Sequence, residues 1–219
     1  MHTWFKYTVQ AFQKDLFWLP LALMGLFSLI AWMLPAEKQY DTARSFIGFL
    51  LPLIAGGFSA YAFLEDDALE LQFSTQRPAW RMIVERLGIV AVVIAATSLI
   101  FQGIAALLGI SLAPLGGFLQ RQLVWLVPSL CMIVIGGVGA LLSRSSSGGL
   151  AFIGSLWIIQ LLLRGWFIRQ RVWRNILLFY GVMDPLGNNR IANQLTLLGI
   201  AILLMVVIHN LLKKQERYI

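Results

Sequence analysis

The side chains that could do chemistry are few and poorly grouped for catalysis. His2 and His209 stand alone, Cys131 is the single thiol and lies in an apolar run, and Asp184 precedes Pro185 in the turn-forming stretch MDPLGNN. No GxxxxGK[ST] phosphate loop, HExxH zinc motif or GxSxG nucleophile elbow occurs. A neutral imidazole beside a headgroup reads as structural or interfacial, and an Asp before Pro reads as a turn cap. One thiol supports neither an internal disulfide nor a thiolate metal cluster. These residues point away from an enzyme: the sequence offers no catalytic residue, no metal ligand and no cofactor site of its own.

Charge is where the sequence is specific. Five of the ten acidic residues, Glu65, Asp66, Asp67, Glu70 and Glu85, fall within Leu64 to Leu87, LEDDALELQFSTQRPAWRMIVERL. The same stretch carries Leu69, Leu71, Phe73 and Trp80 and a Ser74-Thr75-x-x-Pro78 break. Carboxylates beside apolar anchors suit docking of a basic protein surface, with the acids steering and the anchors holding. A solvated acidic loop is the plainer alternative. A second cluster, Arg164, Arg169, Arg171, Arg174 and Arg190, lies amid aromatic residues. It reads either as an outer contact for an anionic headgroup or substrate, or as side chains snorkelling to lipid phosphates.

What must position these groups follows from composition. With 59% hydrophobic and 12% charged residues and a mean hydropathy of +0.78, the chain departs from soluble domains toward a multi-pass membrane protein. Its net charge of +7 comes from basic residues at the ends of apolar runs, where lipid headgroups account for them better than nucleic acid. The sequence predicts an all-α polytopic protein, a single transmembrane domain over 1–219 with six spans at 17–34, 45–64, 87–108, 123–142, 150–165 and 195–212. Each is near the ~20 apolar residues that cross a bilayer, the fifth being short and extended toward Ile168 if Arg164 and Arg169 snorkel. Phe5, Val9, Phe12 and Leu16 recur at helical spacing and predict an amphipathic interfacial helix over 1–16.

Between the spans, residues 36–44 read as a short polar link ended on one side by Pro35. Residues 65–82 read as an elbow, with Pro78 opening the helix that becomes the third span. Gly109 to Gln122 reads as a loop around Pro114, Gly116 and Gly117, and SRSSSGG (143–149) as a tight polar turn. Residues 166–194 are expected to hold one or two short interfacial or re-entrant helices. Gly56-Gly57 in the second span and Gly136, Gly137, Gly139 and Ala140 in the fourth would let helices approach closely. At membrane depth the sequence offers little polarity beyond Thr97, Ser98, Gln102 and Gln160, so energy for any transport would have to come from another protein.

The positive-inside comparison is nearly tied. Lys6, Lys14 and the cluster Lys213, Lys214 and Arg217 place both termini on the cytoplasmic side of the cell membrane.

An N-terminal amphipathic helix, six spans, an acidic elbow after the second and a re-entrant region before the sixth together resemble the ABC-2 type permeases of ATP-binding cassette transporters. The closest local likeness is AFLEDDALELQFSTQRPAWRMIVERL, Ala62 to Leu87. There a carboxylate (Glu65), a leucine-glutamate pair (Leu69-Glu70), an apolar pair (Leu71, Phe73), Ser74-Thr75 and Pro78 follow that family's loop. Two departures are present: Gln76-Arg77 separate the threonine from the proline, and Asp67-Ala68 stand where a glycine is usual. The resemblance implies a coupling helix in the elbow that seats on a separate ATPase subunit, which would hold ATP and Mg. It also implies a second permease chain, as homo- or heterodimer, and export of a lipid-like or amphipathic substrate. A non-transporting membrane scaffold is the alternative.

Overall fold

A computed structural model describes residues 15–64, 79–185 and 187–213. Every regular element among them is helical. In chain order these are α1 (Asp15–Met33), α2 (Ala36–Ser45), a wide π turn (Phe46–Leu50), α3 (Leu51–Leu64), α4 (Ala79–Leu107), a 3-10 turn (Ala113–Leu115), α5 (Phe118–Ser143), α6 (Ser146–Leu162), α7 (Arg164–Arg169), a second 3-10 turn (Trp173–Ile176), α8 (Tyr180–Met183) and α9 (Arg190–Leu212).

Among the described residues, four stretches are long and apolar enough to cross a membrane: Ala36–Ala62, Ile83–Leu107, Phe118–Ser143 and Arg190–Leu212. The chain is therefore built as a multi-pass membrane protein. The six expected spans reduce to these four by length and composition, because the apolar helices Trp18–Met33 and Ser146–Leu162 are shorter.

The hub is α5, whose most apolar window is 83% buried, whereas the corresponding window of α9 is 22% buried. An apolar helix with so much bare surface is stable only where its surroundings are also apolar, as in lipid. Close approach to the hub rests on small residues. A methyl group at Gly136 would collide with the Gly56 carbonyl, and a Cβ at Gly149 would stand 2.9 Å from both Ala140 N and Ala60 Cβ. Ser59 Oγ donates to the Ile133 carbonyl at the same crossing. With Gly56 beside Met132 and Gly136, and Ala60 and Ala140 both against Gly149, α3 and α5 run in the same direction at a tight crossing of the kind the glycine clusters predicted.

Several expected boundaries need correction. The polar link 36–44 is helical, and with the π turn and α3 it forms one rod. Residues 36–44 contain no Gly or Pro, Asp41 Oδ1 pairs with Arg44 Nε at 3.0 Å, and Ala43 is fully buried. Polar composition alone did not distinguish such a helix from a loop. The 109–122 loop is shorter than expected, since α5 begins at Phe118, with the Gly117 N–H held by Gln120 Oε1 at 3.2 Å. The helix of the third span starts at Ala79, as an opening at Pro78 implied, and the sixth span begins earlier than expected, at Arg190.

The fifth span does not run on toward Ile168. Its helix starts at Ser146, with the Ser145 hydroxyl capping Gly148 N at 3.2 Å, and it ends at Leu162. The chain then turns so that Phe167 is buried against Trp166 and Trp173.

Candidate functional site

The acidic residues Glu65, Asp66, Asp67 and Glu70, the anchors Leu69, Leu71 and Phe73, and Ser74, Thr75 and Pro78 all lie outside the described residues. So do Phe5, Val9 and Phe12. Leu16 falls in the first turn of α1, its side chain likewise outside the description. What the structure describes is how the two helices that carry the elbow are seated.

At the head of α4, the Arg86 guanidinium is buried and its Nη1 donates to the Ala62 carbonyl at 2.9 Å. A charged group drawn into an apolar bundle needs such a partner to offset its desolvation, and here the acceptor is the last turn of α3. The two roots of the elbow are thereby tied to each other. Trp80 meets the His209 imidazole edge-on, with ring centroids 5.0 Å apart, so the head of α4 also rests on the tail of α9. His209 thus packs against a ring, in line with the structural role its isolation suggested. On the exposed side Arg81 Nε lies 3.6 Å from Glu85 Oε1, an arrangement worth little by itself.

The opposite end of the bundle is organised by α9. Arg190 is buried, and its guanidinium donates to the carbonyls of Leu115 (3.1 Å), Pro185 (2.9 Å) and Gln120. It ties the heads of α5 and α9 to the 3-10 turn at Ala113–Leu115. Asn193 Nδ2 reaches three further carbonyls, those of Arg174, Asn175 and Leu177, at 2.9–3.2 Å. Gln160 Oε1 accepts from Leu178 N at 2.9 Å. These side chains hold a plug, residues 177–182, whose Leu177, Leu178, Phe179, Tyr180 and Val182 are all buried. Val182 presses on Gly48, where a side chain would collide with it.

Tyr180 donates to Asp184 Oδ2 at 2.9 Å. Burial first, and then the Asp184 carboxylate, push its phenol above the ordinary value, so it stays a donor at neutral pH. Asp184 thus braces the turn it was expected to cap. Of the five arginines, Arg164, Arg169 and Arg171 are exposed, Arg174 is half-buried and Arg190 is internal.

At membrane depth, Gln102 and Gln122 form a reciprocal amide pair between α4 and α5, at 3.1 and 3.0 Å. Trp125 Nε1 adds a third bond to Gln122 Oε1 at 2.9 Å, and Gln102 also reaches Ser98 Oγ at 3.2 Å. Thr97 returns its hydroxyl to the Val93 carbonyl. Among the described residues no group of three or more His, Cys, Asp or Glu gathers to hold a metal ion. The sequence marks Gln102 but not its partner Gln122, and it does not single out Arg86. The available signal was an ionisable residue within two turns of a long apolar run.

No family model, curated protein or solved structure matches this chain.

Proposed function

We propose that this chain is the membrane-spanning permease subunit of an ATP-driven transporter of the ATP-binding cassette type. In this reading it exports a lipid-like or amphipathic substrate, and a separate ATPase subunit carrying ATP and Mg powers it. The observation that carries the reading is the seating of the elbow. Residues 65–78 concentrate carboxylates and apolar anchors, and both helices leaving them are fixed to the bundle, Arg86 to the Ala62 carbonyl and Trp80 to His209. A push on a loop with loose roots is lost in the loop. A push on this one is delivered to α3, α4 and α9 together, which is what a rigid-body transmission needs.

In this proposal α1 and α6 complete a six-crossing topology, both termini are cytoplasmic, and two permease chains pair in the cell membrane, each with one ATPase. The polar groups at depth support the division of labour. Those of Gln102, Gln122 and Gln160 are engaged with neighbours inside the bundle, a poor basis for an ion-coupled carrier.

The test is purification of the chain from its native membrane in mild detergent, with identification of what accompanies it and an assay of ATP hydrolysis. A stoichiometric ATPase that is lost from the complex with Glu70→Arg, while the chain stays inserted, is the expected result. Purification of the chain alone with no ATP hydrolysis would replace this reading with the scaffold alternative.

A further inference from the structure

The stretch between α6 and the plug has a surface that neither water nor the bundle interior suits. Trp166, Ile168, Val172 and Trp173 are exposed, Val172 by 71% of its surface and the two indoles by nearly half of theirs. Interleaved with them are the exposed Arg164, Arg169 and Arg171, and among the described residues no carboxylate pairs with any of the three.

Its depth follows from α6. That helix leaves the polar turn at Arg144–Ser145, at the end of the bundle where α5 finishes and the elbow is rooted. It runs for 17 residues, about 25 Å at 1.5 Å per residue. The hydrocarbon core is ~30 Å thick. A helix of that length starting at one face of the bilayer would break at Leu163 short of the other, which would set residues 164–173 along the boundary of the opposite leaflet, where indole rings and snorkelling cations are at home.

We infer that residues 164–173 form a docking surface for the phosphate of anionic phospholipid in the leaflet opposite the elbow. Trp166, Val172 and Trp173 bed into the upper acyl region, and Arg164, Arg169 and Arg171 meet the headgroups. Charge decides the class of lipid: three uncompensated cations gain from a net negative headgroup, whereas a zwitterionic one brings its own cation. This inference rests on the membrane placement alone and stands apart from the transport reading.

The test uses the full chain in nanodiscs and the quenching of tryptophan fluorescence by brominated lipids. The contribution of the surface is the part of the signal removed by Trp166→Phe with Trp173→Phe. That part should reach half its maximum at a mole fraction of brominated phosphatidylglycerol lower than that of brominated phosphatidylcholine by about five-fold for each arginine engaged. The preference should vanish in the Arg164→Gln, Arg169→Gln, Arg171→Gln variant, and in 1 M salt, where screening shortens to ~3 Å. The salt arm uses the native chain and needs no variant to fold. Equal quenching by the two lipids, or a preference that persists in high salt, overturns the inference.

Discussion

At the scale of single residues, small side chains in this protein are not equivalent. Gly136 and Gly103 sit in comparable apolar helices, but a Cβ at Gly136 meets the backbone of α3, which cannot rotate away, while one at Gly103 meets nothing within 4 Å. Gly136→Ala should therefore lower stability by about 1–3 kcal/mol, the usual cost of overpacking. Gly103→Ala should stay within about 0.5 kcal/mol of the parent. Thermal unfolding of the two variants in one detergent checks the contrast, and equal losses would show that the crossing is not set by contact. That Gly136 would serve packing was legible from the cluster Gly136, Gly137, Gly139 and Ala140. Its partner was not, because Gly56 lies far away in sequence and nothing local encodes the pairing. The inward turn of Arg190 was not legible for a related reason. At a span end, an arginine that snorkels and one that folds back onto three carbonyls look alike in sequence.

At the scale of elements, α4 shows how a helix with much lipid-facing surface is kept on the hub. Its contact with α5 includes the amide pair Gln102–Gln122, and the two ends of that pair differ. Removing Gln122 takes the partner from both the Gln102 side-chain carbonyl and the Trp125 indole N–H and leaves the Gln102 amide only its bond to Ser98, whereas removing Gln102 leaves Trp125 satisfied. Gln122→Leu should thus cost more than Gln102→Leu. A double-mutant cycle should give a coupling near the ~0.6 kcal/mol average, and at most ~1.7 kcal/mol, found for polar pairs between membrane helices. Reversible unfolding in mixed micelles measures both, and a larger loss from Gln102→Leu would remove the Trp125 bond from the account. Helices were the most legible level of this sequence, since long apolar runs mark themselves. Their ends were less so. α2 was read as a link because Glu37, Lys38, Gln39 and Asp41 are polar, yet most polar residues there are also competent helix formers, and Ala43 gives the segment a buried face.

At the scale of the whole molecule, the contacts sort the chain into two ends. The roots of the elbow, the Arg144–Ser145 turn and the tail of α9 share one end, while the 108–117 connection, the 164–176 stretch and the plug share the other. Cysteines introduced at the exposed positions Arg81 and Asn210 should react with a membrane-impermeant maleimide from one side of sealed vesicles, and those at Gly109 and Gln170 from the other. Labelling of all four from the same side would refute the arrangement. Cys131 is buried and should remain silent. The alternation of runs made an up-and-down order legible in advance. The central position of α5 was not, because α5 and α9 are similarly apolar and differ only in what surrounds them. That position has a consequence in time. A chain made from its N-terminus completes α3 at residue 64 and the hub at residue 143, so at ~5–20 residues per second α3 exists for about 4–16 s before its partner is finished. Lipid is as apolar as the missing helix, and Ser59 can return its hydroxyl to its own preceding turn. The protein is thus assembled from parts that can wait, and a ribosome halted before residue 118 leaves four helices with nothing to close around.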